Sequence, residues 1–126
     1  MPIVSASLPA DLLRDMDGAI DHGGYKGRSE FLRAAARDHL QNRVVASGKH
    51  IHGSITMLYP HDKEPRISDA RHAFHDVVLS LMHTHCEPDT CMDVLIVGGP
   101  PARVQALQDT LERMREVKRS RLVLMA

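Results

Sequence analysis

The segment VVLSLMHTHCEPDTCMDVLIVGG, residues 77–99, decides the fold, because it contains two strand-like runs with a turn between them. The apolar run that starts at Val77 continues into HTH, and the second run starts at Cys91. Between them lies EPDT (87–90), a group of polar and turn-forming residues. Two such runs joined by a short turn are typical of a hairpin. We therefore predict paired strands over 77–85 and 91–99.

Elements on both sides of this hairpin complete a regular order. Before it, IHGSITMLY alternates as a strand does, and KEPRISDARHAFH fits a short helix. After it, PARVQALQDTLERMRE has apolar residues at helical spacing, and SRLVLM fits a last strand. The resulting order, βαββαβ, is that of the ferredoxin-like arrangement. The four flanking elements are predicted over 51–59, 63–75, 101–116 and 120–125.

The first third of the chain has a different pattern. IVSASL (3–8) alternates as a short strand, residues 9–22 fit an amphipathic helix that ends at Gly23-Gly24, and a second helix follows with Ser29 as its N-cap. One strand and two short helices are too small to bury their own apolar faces. We therefore predict that this unit dimerises. The predicted domains are residues 1–45 and 51–126, joined by a polar linker over 46–50.

Composition limits the classes of protein to consider. The chain has 126 residues, 43% of them hydrophobic, which is enough for a modest core. Its sequence has no apolar run of about 18 residues and no basic leader before an apolar stretch, so we expect a cytoplasmic protein with no membrane association. Lysine and arginine number 16, as do aspartate and glutamate. Charge therefore gives no support for nucleic-acid binding, which must rest on a motif.

Histidine and cysteine point to a metal. Seven of the nine histidines lie between positions 50 and 85. Residues two apart on a strand share a face, so His83 and His85 should stand side by side. Cys91 starts the paired strand near the level of His85, whereas Cys86 should face the other way or lie in the turn. Two imidazoles and one thiolate are a ligand set for a transition metal, and Cys91 is the preferred sulfur ligand.

Two other interpretations of these residues stay open at this point. The histidine pair is also compatible with a solvated strand face, and Cys86 is within reach of Cys91 for a disulfide in an oxidising compartment. A fourth ligand would favour the metal. His72 and His75, on the helix before the hairpin, are the candidates.

Over essentially its whole length the chain resembles the NikR family of nickel-responsive transcriptional regulators. The resemblance is carried by GYKGRSE (24–30) in the two-helix unit, by RHAFHD (71–76), and by HTH followed after five residues by Cys91. A helical histidine, His72, stands eleven residues before His83, and Cys91 stands six residues after His85. Both intervals are those of the family.

The resemblance implies a fold and a metal site. The fold is α+β, with an N-terminal ribbon-helix-helix unit and a C-terminal ACT-like domain of the ferredoxin-like type. The ligands are His83, His85 and Cys91 from one protomer and His72 from another, with one Ni²⁺ per protomer. Three imidazoles and one thiolate in a plane suit Ni²⁺, and Cu²⁺ or Zn²⁺ would compete in vitro. His75 has no counterpart among the ligands.

The resemblance also implies a function. The expected protein is a tetramer, a dimer of dimers, that binds an operator in double-stranded DNA when loaded with nickel and represses nickel-uptake genes. The alternative is a metal-storage or delivery protein in which the N-terminal unit only dimerises. An enzyme is not expected, because four protein ligands in a plane leave no open position beside a general base.

The DNA-binding residues implied by the resemblance lie in the first domain. Ile3, Ser5 and Ser7 would face the bases of the major groove, with Val4, Ala6 and Leu8 turned toward the helices. Ile3 replaces a basic residue that family members carry, so their operator sequence is not carried over. Ser29 and Arg28 would hold a phosphate at the start of the second helix. Glu30 matches one ligand of a secondary cation site, but Ala34 replaces the next acidic residue.

Overall fold

The computed structural model describes residues 1–43 and 49–125, so residues 46–48 of the predicted linker lie outside the described residues. The chain divides into two compact units, the first over residues 1–40 and the second starting at residue 41. Among the described residues, no helix has both the length and the apolar character needed to cross a membrane.

The first unit consists of two helices, α1 (Ala10–Gly23) and α2 (Arg28–Gln41). Helix α1 ends at the predicted glycines, because Gly24 takes a left-handed conformation (φ 77°) that is readily open to glycine. Helix α2 begins before Ser29: the Phe31 amide donates to the Gly27 carbonyl at 3.1 Å. The prediction of Ser29 as N-cap was therefore wrong, and Ser29 lies within the first turn.

Residues 1–9 form no strand in this single chain, so the strand predicted over 3–8 is not observed. Val4 and Leu8 are exposed rather than packed against the helices. A strand is held by hydrogen bonds to a neighbouring strand, and a ribbon shared between two copies has only one of its halves in one chain. Met16 is the one residue described as buried in α1, and none is buried in α2.

The second unit is a four-stranded antiparallel sheet with two helices. Its strands are β1 (Ile51–Pro60), β2 (Val78–Cys86), β3 (Thr90–Gly99) and β4 (Arg119–Met125), in the order β2-β3-β1-β4. A short 3₁₀ turn (His61–Lys63) and helix α3 (Glu64–Ala73) link β1 to β2, and helix α4 (Pro101–Arg113) links β3 to β4. The predicted ferredoxin-like order is thus observed. Helix α4 ends three residues before the predicted boundary, because Met114 is extended (φ −73°, ψ 124°).

The core of this unit lies between the two helices and one face of the sheet. The alternating pattern of β1 and β3 buries every second side chain, as expected for a sheet covered on one side. Helices α3 and α4 complete the core with side chains such as Ile67 and Leu107. The other face of the sheet carries exposed apolar side chains, among them Met82 (67% exposed), Ile96, Val123 and Met125.

The two edges of the sheet differ. Strand β2 forms one edge, with β3 as its only partner among the described residues, and most of its side chains are exposed. Strand β4 forms the other edge, where the side chain of Asn42 forms hydrogen bonds with backbone groups of the strand. Asn42 donates from Nδ2 to the Leu122 carbonyl, and its Oδ1 accepts the Leu124 amide at 2.7 Å.

Candidate metal centre

The hairpin of β2 and β3 aligns the predicted ligands. His85 lies directly opposite Cys91, and His83 lies directly opposite Asp93. Because side chains alternate along a strand, these four share the face of the sheet that the helices cover. Cys91 is fully buried, whereas both histidines reach solvent at the edge. One chain therefore presents two imidazoles beside one sulfur.

Cys86 pairs with Thr90 at the end of the hairpin, one residue out of phase with His85. It is half-buried, and both cysteines are free thiols in the structure, so the disulfide alternative is not observed. The sulfur of Cys91 is thus available as a ligand.

A buried carboxylate holds His83 in place, which the sequence analysis did not identify. Asp93 is fully buried, and its Oδ1 accepts a hydrogen bond from His83 Nδ1 at 2.7 Å and one from the Tyr59 hydroxyl at 2.9 Å. The other oxygen, Oδ2, accepts from Arg71, which also pairs with Glu64 at 3.1 Å. Asp93 is therefore fully satisfied with its negative charge neutralised by an arginine.

This network fixes which nitrogen of His83 is free. A carboxylate only accepts, so Nδ1 of His83 carries the hydrogen and Nε2 keeps its lone pair. A metal-bound histidine commonly donates its second nitrogen to a carboxylate in this way, which orients the ring and makes the free nitrogen more basic. Asp93 acts as a positioning residue for His83.

Burial and charge both act on Cys91. Burial raises the pKa of the Cys91 thiol, and the nearby carboxylates of Asp93 and Glu64 raise it further. The thiol therefore keeps its proton at neutral pH until a cation replaces it.

His61 is the second residue that the sequence analysis missed. Its ring stacks on His85 with centroids 4.5 Å apart, and its Nδ1 lies 3.2 Å from Cys91 Sγ. It stands just after β1, whose residue Tyr59 pairs with Cys91, so the end of that strand brings it to the hairpin. The available signal was its position directly after a predicted strand, because no fixed spacing links it to His83 and His85.

His72 lies on α3 and is exposed. Within residues 1–43 and 49–125, no group of three or more histidine, cysteine, aspartate or glutamate side chains is already arranged around one point. The donor types nevertheless fit a nickel ion: His83 has a free nitrogen, and His85 and Cys91 are cross-strand neighbours. His83, His85 and Cys91 thus lie on neighbouring strands of one chain, and His72 lies on helix α3.

Comparisons with known proteins give the family. Residues 52–125 match the model of the NikR C-terminal nickel-binding domain. The chain belongs to the NikR family. Candidate nickel-responsive regulators from Methanocaldococcus jannaschii and Chlorobaculum tepidum are 33% and 34% identical to it. The alignments cover 99% and 89% of this chain, and 92% and 86% of those two proteins.

A solved structure supports the fold alone. The uncharacterised protein TM1266 from Thermotoga maritima superposes with a TM-score of 0.56 at 16% identity, covering 62% of this chain and all of that one. The NikR assignment itself rests on the sequence matches. It makes the C-terminal unit a nickel-binding domain and the protein a nickel-responsive regulator.

In this NikR-family chain the predicted DNA-contacting residues belong to the first unit, and the residues of the metal centre belong to the second. Ile3, Ser5 and Ser7 are exposed in the segment before α1. The guanidinium of Arg28 donates two hydrogen bonds to Asp17, at 3.0 and 2.9 Å, so it is engaged in an ion pair within the first unit. This pair lowers the pKa of Asp17 through the hydrogen bond from Arg28.

The predicted secondary cation site rests on Glu30. Its Oε2 accepts the Lys26 backbone amide at 2.9 Å, a hydrogen bond that stabilises the start of α2. Ala34 lies one turn further along the same helix and offers no side-chain oxygen.

Proposed function

We propose that this protein is a DNA-binding repressor of nickel-uptake genes that occupies its operator when nickel is bound. In this proposal residues 1–45 bind DNA, residues 51–126 bind nickel and assemble the protein, and 46–50 link the two. One observation carries the proposal: a NikR-type hairpin presents His83, His85 and Cys91 together, with Asp93 orienting His83.

The proposed nickel ligands are His83, His85 and Cys91 from one protomer and His72 from another, with one ion per protomer. The exposure of His72 on α3 and the exposed position of β2 at the sheet edge support donation between protomers. An ion that joins two protomers couples occupancy of the nickel site to assembly of the protein. The ion then binds the assembled and the unassembled arrangement with different affinities, as a metal sensor requires.

Assembly is supported by the sheet itself. Its helix-free face carries Met82, Ile96, Val123 and Met125, all large and exposed in one chain. Apolar patches of this kind on a soluble protein mark interaction surfaces. We propose that a second copy of the chain covers this face and that the full assembly is a tetramer.

The proposed DNA-binding unit is a ribbon-helix-helix dimer. Exposed apolar residues on α1 and α2, such as Leu12 and Leu40, support burial against a second copy. In the dimer, residues 3–8 of two copies would pair and direct Ile3, Ser5 and Ser7 to the bases. Ser29 and the first amides of α2 would hold a phosphate, with Arg28 beside them.

The test is nickel-dependent retention of DNA. Genomic fragments are incubated with the metal-free protein, with and without nickel, and the bound fragments are sequenced. We expect retention of a fragment next to a transport gene only with nickel. Retention should be lost in His83→Ala but not in the matched variant His50→Ala, an exposed histidine just before β1. Nickel binding with no retained DNA would instead support storage or delivery.

The donation of His72 between protomers has its own test. His72→Ala and Cys91→Ala are each expected to lack the planar thiolate-nickel absorption. Mixed and allowed to exchange subunits, they should regain part of it, because one chain supplies the three ligands of the hairpin and the other supplies His72. Native mass spectrometry verifies that mixed oligomers form. Mixed oligomers without recovered absorption would reject the assignment between protomers.

A further inference from the structure

We propose that the cleft between helix α3 and the end of helix α4 binds a small organic phosphate, a molecule of about nucleotide size. The cleft is open to solvent and has a volume of about 480 Å³. Pockets of roughly 300–1,000 Å³ are typical of small-molecule sites. The residues that line it, all in the second unit, are Arg66, Thr110, Arg113, Met114, Arg115 and Glu116.

The sequence concentrates positive charge around this cleft. Five of the ten residues in ERMREVKRSR (112–121) are lysine or arginine and two are glutamate, although the whole chain has as many acidic as basic residues. Arg66 reaches the same cleft from helix α3. An excess of positive charge therefore collects at one place in a neutral chain, and such a field attracts an anionic ligand.

The arginines of the cleft are only partly neutralised. Arg66 Nε lies 3.2 Å from Glu116 Oε1, and the Glu116 side chain is 15% exposed. In the part of the chain that the structure describes, neither Arg113 nor Arg115 forms an ion pair. Three guanidiniums and one carboxylate give a charge of about +2, and the carbonyl end of α4 offsets only about half a unit of it. The cleft thus has the charge to bind a dianion.

The backbone around the cleft is held in place. Helix α4 ends where Met114 becomes extended, and the Met114 side chain packs against the core. Three residues later, the Val117 amide donates to the Met114 carbonyl at 3.2 Å. Met114 is thus a fixed point between Arg113 and Arg115. The backbone of both arginines is positioned before a ligand arrives, which lowers the entropy lost on binding.

The lining side chains favour a phosphate on an organic group. A guanidinium presents its N–H donors in a planar fork that matches two phosphate oxygens, and a phosphate dianion carries twice the charge of a carboxylate. Thr110 adds no donor, because its hydroxyl already donates to the Ala106 carbonyl at 2.8 Å. A lone phosphate fills only part of the cleft, and the thioether of Met114 gives the remainder an apolar wall.

The experiment is a calorimetric titration of the metal-free full chain at constant ionic strength. The probes are AMP, inorganic phosphate and, as the analogue without a phosphate, adenosine. The variants are Arg113→Gln, Arg115→Gln and Glu116→Gln, and the matched control is Arg121→Gln. Arg121 is an exposed arginine of the same basic run that is not among the residues lining the cleft. Circular dichroism verifies the fold of each variant.

We expect the wild type and Arg121→Gln to bind one AMP per chain with equal affinity, phosphate more weakly, and adenosine not measurably. Arg113→Gln and Arg115→Gln should each bind AMP at least about tenfold more weakly, which is the effect of one lost hydrogen bond to a charged group. Glu116→Gln should bind AMP about fivefold more tightly, because it removes a like charge that acts on the phosphate from about 4 Å in water.

Two results would overturn the proposal directly. One is a wild type that binds neither AMP nor phosphate. The other is an equal loss of AMP affinity in Arg121→Gln, since the ligand would then respond to the charge of the whole run rather than to the cleft.

Double-stranded DNA of arbitrary sequence is the last probe. If Arg113→Gln weakens DNA binding while no small phosphate binds the wild type, the cleft serves nucleic acid and the proposal fails. None of these titrations contains nickel, so their failure leaves the proposed nickel-dependent regulation untouched.

Discussion

The two units of the chain differ in how much apolar surface a single copy buries. In the second unit, side chains such as Ile55, Leu95 and Leu107 are fully buried between the sheet and its helices. In the first unit, Met16 is the one buried apolar side chain described, and Leu12 and Leu40 are more than half exposed. The second unit therefore builds its own hydrophobic core within one chain, whereas the first leaves large apolar side chains exposed.

The same difference extends to the functional residues. The hairpin gathers His83, His85 and Cys91 within one copy, because pairing with a neighbouring strand in the same chain fixes their register. The segment before α1 has no such partner in the described chain, and its side chains at Ile3, Ser5 and Ser7 remain exposed without strand pairing. The local sequence pattern was sufficient where the partner strand lies in the same chain, as it does for the hairpin.

Truncation of one leucine in each unit tests this difference most directly. Leu107→Ala should lower the free energy of unfolding by about 2–5 kcal/mol at any protein concentration, because it opens a cavity in a core made by one chain. Leu12→Ala should cost about 1–2 kcal/mol, through the burial that self-association adds. Denaturant melts at several protein concentrations measure both. A cost for Leu12→Ala below about 0.5 kcal/mol that is independent of concentration would mean that α1 stays exposed.

Removal of the buried carboxylate should have the next largest effect. Asp93→Ala leaves Arg71 with Glu64 alone and His83 without its acceptor, so we expect about 3 kcal/mol of lost stability. Nickel affinity should fall about 10–100-fold. The matched control is Asp76→Ala, which breaks an exposed, solvent-screened ion pair with Arg103 and should leave stability almost unchanged. Equal effects of the two variants on nickel affinity would remove the positioning role of Asp93.

The pH dependence of nickel binding should be confined to the second unit. Burial raises the pKa of Cys91, so the metal-free thiol is protonated at neutral pH and binding must release that proton. Affinity should therefore rise about tenfold per pH unit, with a steeper fall at acidic pH, since the ligand histidines must be neutral to bind the ion. Calorimetry in buffers of different ionisation enthalpy counts the protons. An affinity that is flat between about pH 5.5 and 8 would contradict this ligand set.

The smallest effect concerns the ion pair of the first unit. Arg28 and Asp17 are both largely exposed, so solvent screens their pair and breaking it should leave the free energy of unfolding almost unchanged. If Arg28 also contacts a phosphate, Arg28→Ala should weaken binding to all DNA sequences and reduce the salt slope by about one. Asp17→Ala should strengthen binding by releasing the guanidinium. Fluorescence anisotropy at several salt concentrations distinguishes these outcomes. The changes in DNA affinity caused by Arg28→Ala and Asp17→Ala must have opposite signs.

The success of the sequence prediction for the second unit has a physical reason. Alternation along 51–60 and 90–99 reflects a sheet covered on one face, and this pattern is visible without knowledge of the partner. The level of His85 relative to Cys91 followed from the short turn between them. The predicted start of α2 was wrong because this helix begins with a hydrogen bond to the Gly27 carbonyl, a backbone contact that no side-chain pattern reveals.

Two residues of the centre were missed for different reasons. Asp93 stands at a position where alternation predicts burial, and a charged residue at such a position was a usable signal for a satisfied internal network. His61 reaches the hairpin through the end of a strand far away in sequence, and only the pairing of Tyr59 with Cys91 brings it there. The burial of Asp93 is thus visible in the alternation of its strand, whereas the position of His61 depends on the register of the sheet.

Asn42 has a consequence for how copies of this chain associate. By engaging the Leu122 carbonyl and the Leu124 amide, its amide group imitates one residue of an added strand and closes part of the β4 edge. A sheet blocked on one side and open along β2 on the other has a single end available for extension. Were two copies to pair along their open β2 edges, addition would stop at that twofold pair instead of continuing into a filament. The side chain of Asn42 thus hinders the pairing of a further strand with β4.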